Sequence, residues 1–122
     1  MIIHEVSERV GLSEYTLRYY ENLGLLGPIR KDEGGRRDYS DADIVWLQFI
    51  GRLKSTGMPL RSILKYAKLR EQGDGTIPER YRLLEEHDRA LEERIEKLLD
   101  SKRKLNEKML FYRKRMESAC LA

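Results

Sequence analysis

The sequence predicts a mainly α protein: a winged helix-turn-helix with a small β-hairpin wing, followed by a long helix that dimerises as an antiparallel coiled coil. Three observations carry this prediction. Two short amphipathic stretches meet at Gly11, close to the start of the chain. A basic segment built around Gly34–Gly35, running from Ile29 to Tyr39, follows them. After Pro78 no Gly or Pro interrupts the chain, and apolar residues recur there every seven positions.

Residues 2–10 read as a first helix, with Ile3, Val6 and Val10 on one side. Gly11 supplies the turn, since glycine adopts positive φ without steric cost. A second helix restarts at Ser13, an N-cap residue whose hydroxyl can accept from a free N–H of the first turn, and stops at Gly24. At about 100° per residue, Leu17 turns inward with Val6, Val10 and Leu12. Tyr15, Arg18, Tyr19 and Asn22 then share the opposite face. A solvated face normally carries Lys and Glu. A Tyr–Arg–Tyr–Asn stripe suits nucleic acid better, because Arg forks onto phosphate or guanine and Tyr hydroxyls bond phosphates. The competing reading is that one or both tyrosines pack on a neighbouring element.

Leu23, Leu25 and Leu26 anchor the end of this helix, and Gly27–Pro28 breaks the chain. The predicted hairpin then runs Ile29–Arg30–Lys31, a turn in Asp32–Gly35, and Arg36–Arg37–Asp38–Tyr39. Four basic residues lie on its arms, which read either as a wing for an anionic partner or as a solvated charged hairpin. Ser40 caps a third helix, with Asp43 three residues on as a loose capping box. Ile44, Leu47, Ile50 and Leu53 are its main apolar side, widened by Val45, Trp46 and Phe49. Trp46 is expected in core or interface packing. Gly57 ends this helix, and Pro59 starts a fourth, in which Ile63, Leu64, Tyr66 and Ala67 face the core. Arg61 lies in its first turn, beside a helix N-terminus that itself favours anions.

The expected organisation is a DNA-binding domain at 1–71, a linker at 72–77, a dimerisation helix at 78–118 and a short tail at 119–122. A helix of that length runs on the order of 60 Å. Leu84, Leu91, Leu98, Leu105 and Tyr112 occupy heptad position d, and Asp88, Ile95, Lys102, Met109 and Met116 position a. Two apolar positions per heptad make a coiled-coil seam. A parallel in-register pair would set Asp88 against Asp88 and Lys102 against Lys102. An antiparallel pair centred near Ile95 brings Asp88 close to Lys102 of the partner subunit. The alternative is a helix folded back on its own domain.

Composition bounds the function. The chain has 122 residues, 37% of them charged, enough for one small core and an appendage. The net charge of +3 pulls only weakly towards an anionic partner, because both signs are mixed along the chain. A single cysteine excludes a disulfide framework. No stretch is apolar and long enough to span a membrane, and there is neither a signal core nor a basic leader, so a cytoplasmic location is expected. His4 and His87 lie in no nucleophilic or acid–base arrangement, and Gly34–Gly35 lacks the pattern of a phosphate loop, so no enzyme is expected.

The string Thr16–Leu17–Arg18–Tyr19–Tyr20–Glu21, continuing into Gly24–Leu25–Leu26, resembles the recognition-helix signature of the MerR family of bacterial transcription regulators. The resemblance extends over almost the whole chain and is strongest over residues 1–70. It implies a homodimer joined by antiparallel helices on a pseudo-palindromic promoter operator, with each recognition helix in a major groove. Arg18, Tyr19 and Tyr15 or Thr16 would reach bases or nearby phosphates. Tyr20, Arg36, Arg37 and Tyr39 would hold the backbone, Arg37–Asp38–Tyr39 matching the family's Arg-x-Tyr at the end of the wing, and Lys31 is a further DNA-binding candidate. Arg61 is a further candidate, although Pro59 stands where many members have Ser. The family also implies activation by promoter distortion, which lets RNA polymerase engage both promoter elements.

The family's metal sensors use cysteines near the start of the dimer helix and in a loop after it; here Cys120 alone lies in that region, so no metal site and no cofactor are expected. Drug-sensing relatives carry a large C-terminal domain, whereas this chain ends at Ala122, which matches the short-tailed subgroup without a ligand-binding domain. Some of that subgroup respond to electrophiles through a cysteine between wing and dimer helix, a region without cysteine here. Cys120 is the remaining candidate redox switch, and any small-molecule effector is unidentified. Two other readings stay open: a DNA-bending architectural or excisionase-like factor, and a coiled-coil interaction protein.

Overall fold

The computed structural model describes residues 1–121. Five helices follow one another: α1 (Ile3–Val10), α2 (Glu14–Leu23), α3 (Asp41–Ser55), α4 (Leu60–Glu71) and α5 (Ile77–Leu121), with one 3₁₀ turn at Asp74–Thr76. Their contacts divide the chain into a unit at Met1–Glu85 and a second from Glu86 onward. Among the described residues no helix is long and apolar enough to cross a membrane.

The helix-turn-helix forms as its local signals dictate. Gly11 has φ +72° and donates its N–H to Ser7 O at 3.0 Å, closing α1. The Ser7 hydroxyl donates to Leu12 O at 2.5 Å across the turn. Ser13 caps α2 by accepting from Thr16 N at 3.0 Å. At the far end Gly24 has φ +83°; its N–H donates to Glu21 O, and the Leu25 N–H donates to Tyr20 O. That pair of bonds is a Schellman closure, and the buried Tyr20 and Leu25 supply its apolar contact.

Around α2, the core gathers Val6, Leu17, Leu25, Leu47, Ile50 and Ile63, all at most 2% exposed. Ser40 and Asp43 form the full reciprocal capping box of α3. Trp46 is buried and donates Nε1–H to Leu25 O at 2.7 Å, tying α3 to the end of α2. Val45, expected to widen the apolar side, is instead 65% exposed, because the core meets α3 along the flank of Trp46, Ile50 and Leu53. Pro59 stands at the N-cap of α4, just outside the helix.

The wing differs from the predicted hairpin. It has one antiparallel bridge, Lys31 to Arg37, and no strand. The Asp32 N–H donates to Arg36 O and the Asp38 N–H to Arg30 O, each at 2.7 Å. Asp32 Oδ1 accepts from Gly34 N and Arg36 N, both at 2.9 Å. A side chain thus takes donors that a longer ladder would use. The Met1 ammonium donates to Asp38 Oδ1 at 2.5 Å and to Tyr39 O at 3.0 Å, fastening the wing's return arm to the start of the chain.

The expected linker at 72–77 is folded. Thr76 is buried, with its hydroxyl 2.5 Å from Leu69 O and 2.8 Å from Gly73 O. Arg80 donates Nε–H to that hydroxyl and Nη2–H to Gly73 O. The compact unit therefore continues past residue 71 into the first turns of α5. The helix also runs on to Leu121, so the expected tail is helical at 119–121, and Ala122 lies outside the described residues.

Candidate nucleic-acid interface

The α2 stripe is where its periodicity places it. Tyr15 is 78% and Tyr19 45% exposed, and Arg18 and Asn22 are exposed beside them. Arg18 lies 3.9 Å from Glu14 on the preceding turn, an exposed pair that costs little to exchange for a phosphate. Thr16 is half-buried, its hydroxyl 2.8 Å from that of Ser13, so it completes the helix cap.

The wing brings further cations to the same place. A cleft of about 350 Å³ is lined by Ile2, Ile3, His4, Arg18, Gly35, Arg36 and Arg37. Three arginines, from α2 and the wing, thus line one cleft. Arg36 is loosely paired with Asp32 at 3.6 Å, and Arg37 is held by Glu21, Nε to Oε2, at 2.6 Å. His4, which the sequence marks only as lying in no catalytic arrangement, joins this cleft; it stands 3.4 Å from Glu8 and 4.0 Å from Glu14. Lys31 and Arg61 are exposed but do not line this cleft.

Two of the expected backbone contacts are corrected. Tyr20 is 2% exposed, because it follows Leu17 by three residues and shares its inward face. Its hydroxyl accepts from Lys54 Nζ at 2.8 Å, a partner that only the fold reveals. Tyr39 is also 2% exposed, and its hydroxyl is buried with no hydrogen-bond partner among the described residues. Burial, then the charge of Glu21, pushes its phenol above the ordinary range. Asp38 moves the other way: the Met1 ammonium, by hydrogen bond and by charge, holds its carboxyl below the usual value.

Along α5, Ile95, Leu98, Leu105, Met109, Tyr112 and Met116 are exposed, as are Asp88 and Lys102. Leu91 is half-buried, and Leu84 packs partly against the compact core, so that position is shared between core and helix face. Ile77 (52% exposed) and Tyr81 (63%) continue the same spacing one heptad earlier, which the expected boundary at 78 concealed. Cys120 is an exposed free thiol. Among the described residues no group of three or more His, Cys, Asp or Glu could hold a metal ion.

Comparison with known proteins agrees with this geometry. The family model described as MerR HTH family regulatory protein matches residues 1–69, and one described as MerR, DNA binding matches residues 44–108. An HTH-type transcriptional regulator of Haemophilus influenzae is 38% identical over 110 residues, covering 90% of this chain and 82% of that protein. The HTH-type transcriptional regulator AdhR of Bacillus subtilis is 37% identical over 93 residues, covering 75% of this chain and 66% of AdhR. Among solved structures, HiNmlR, a MerR family regulator lacking the sensor domain and bound to promoter DNA, superposes with a TM-score of 0.83. It is 37% identical, over 93% of this chain and 90% of that one. The exposed recognition stripe, the basic wing beside it and these matches together place the chain in the MerR family of helix-turn-helix regulatory proteins, DNA-binding regulators of transcription.

Proposed function

We propose that this protein binds a pseudo-palindromic promoter operator as a homodimer and activates transcription by distorting the promoter for RNA polymerase. The observation that carries the reading is the convergence of Arg18, Arg36 and Arg37 on one cleft beside the exposed Tyr15–Tyr19 face. Guanidiniums spread over a helix and a wing follow a phosphate backbone on either side of the groove that the helix enters. Arg18 and Tyr19 are the base-reading candidates, with Tyr15 beside them. Arg36, Arg37, Lys31 and Arg61 take phosphates.

Dimerisation is supported by the exposed apolar stripe of α5, which runs from Ile77 and Tyr81 to Met116. Exposed apolar surface at heptad spacing seeks a second helix. The antiparallel orientation is supported by Asp88 and Lys102, which oppose themselves in a parallel pair and each other in an antiparallel one. The protein would act in the cytoplasm, without catalysis. Promoter binding is supported by the likeness to HiNmlR, a MerR family regulator lacking the sensor domain and solved bound to promoter DNA.

The test is a competition titration of promoter DNA against scrambled duplex across a salt series. We expect a preference of roughly a thousandfold and a steep salt slope. In the same assay Arg18→Ala should cost about 1–3 kcal/mol on promoter DNA and less on scrambled DNA. Equal binding to both duplexes by the wild-type chain would sink the sequence-reading function.

A further inference from the structure

We propose that Glu21 is a positioning residue for DNA binding: from the recognition helix it grips Arg37 by Nε and leaves the two amino groups of that guanidinium for a phosphate in the Arg18–Arg36–Arg37 cleft. The inference rests on the DNA-binding reading of that cleft and adds to it a residue of the wrong charge.

The geometry is specific. Glu21 Oε2 accepts from Arg37 Nε at 2.6 Å, across sixteen residues of chain, in the one ion pair between α2 and the wing among the described residues. Both partners are restrained, the Glu21 side chain at 20% exposure and that of Arg37 at 38%. Glu21 sits on the rigid last turn of α2, where its own carbonyl takes the Gly24 N–H. Arg37 has no other hydrogen-bond partner among the described residues, yet it lines the cleft with Arg18 and Arg36. Held through Nε alone, a guanidinium still presents the parallel pair of amino groups that fits a phosphate.

Two consequences of the carboxylate oppose each other. Its charge repels an approaching phosphate, whereas its hydrogen bond orders a long side chain before binding and removes that cost from the complex. The pair is short, partly buried and anchored on a helix, so ordering should prevail. The sign of the effect of removing Glu21 therefore separates a positioning role from a mere neighbouring charge.

The experiment uses the full chain and duplexes that the wild-type protein enriches from a random-sequence pool. Binding is measured for wild type, Glu21→Gln, Glu21→Ala, Arg37→Ala and the double variant Glu21→Ala/Arg37→Ala. Without DNA, the Arg37 Nε–H is followed by ¹⁵N NMR. Glu21→Ala and Arg37→Ala should each weaken binding about tenfold, and the double variant should be no weaker than Arg37→Ala. Glu21→Gln keeps an acceptor oxygen and should stay within about twofold of wild type. The Nε–H should be protected from exchange in wild type and Glu21→Gln and lose protection in Glu21→Ala. Unchanged or tighter binding by Glu21→Ala, full additivity in the double variant, or an Nε–H indifferent to Glu21 would each overturn the proposal. Failure of the wild-type chain to enrich any duplex would overturn the DNA-binding reading and the proposal with it.

Discussion

Within Met1–Glu85, Leu17 is 0% exposed and Leu47 1%, whereas from Glu86 onward Leu98 is 70% and Leu105 60% exposed. The residue type is the same and so is the helical spacing. In the first unit each apolar stripe meets another from the same chain: α1 contacts both α2 and α3, α3 contacts α4, and Trp46 reaches back to the end of α2. In the second, the described residues form one helix whose apolar stripe is exposed at Ile95, Leu98, Leu105 and Met109. The first unit therefore closes its own core and can leave Tyr15, Arg18 and Tyr19 outside for an anionic partner. The long helix leaves aliphatic groups outside, and such a surface is answered by another apolar surface.

The largest effect should come from Leu98→Glu. In the proposed homodimer the two-fold repeats the substitution, so we expect a loss of roughly 4 kcal/mol or more in dimer affinity. Sedimentation should then report a monomer, while the near-ultraviolet dichroism of Trp46 is unchanged. A dimer that survives would break the contrast between the two units. Leu17→Ala attacks the other side of it and should destabilise the compact unit by about 3 kcal/mol in urea unfolding, through a cavity beneath α2.

Tyr39→Phe sharpens the distinction within the first unit between buried and exposed tyrosines. It removes a hydroxyl that is buried with no hydrogen-bond partner among the described residues, so stability should stay level or rise by up to about 1 kcal/mol. DNA affinity should remain within about twofold of wild type; a large loss of affinity would mean that the wing opens to expose this hydroxyl.

The smallest effect belongs to Asp38. Its folded carboxyl titrates below the ordinary value of 3.8, so the contact with the Met1 ammonium stabilises the fold above that pH. The contribution is lost as pH falls through the depressed folded value. Melting curves of wild type and Asp38→Asn should therefore converge as acid is added and differ most near neutrality. A constant gap across that window would deny the linkage.

Much of the fold was readable from residue spacing. The two helices about Gly11, the caps at Ser13 and Ser40, the glycine closure at Gly24 and the exposed stripe on α2 all follow from local rules. The wing was readable as a turn but not as a single bridge, because the Asp32 side chain competes with the ladder. The candidate site divided in the same manner. Tyr15, Arg18 and Tyr19 could be placed from periodicity, whereas the pairing of Arg37 with Glu21 and the burial of Tyr39 arise between segments distant in sequence.

The sequence by itself determined the inward and outward faces of α1 and α2, the caps at Ser13 and Ser40, and that α5 runs without a break. Those properties depend on backbone dihedrals and on neighbours within about one turn, which adjacent residues set. Only the tertiary structure decided which face meets which. It buried Tyr20 and Tyr39, left Val45 in solvent, drew Leu84 towards the core and folded Thr76 beneath α4. Periodicity assigns a side chain a direction, but burial requires a second surface, and that surface is supplied by residues far away in the chain.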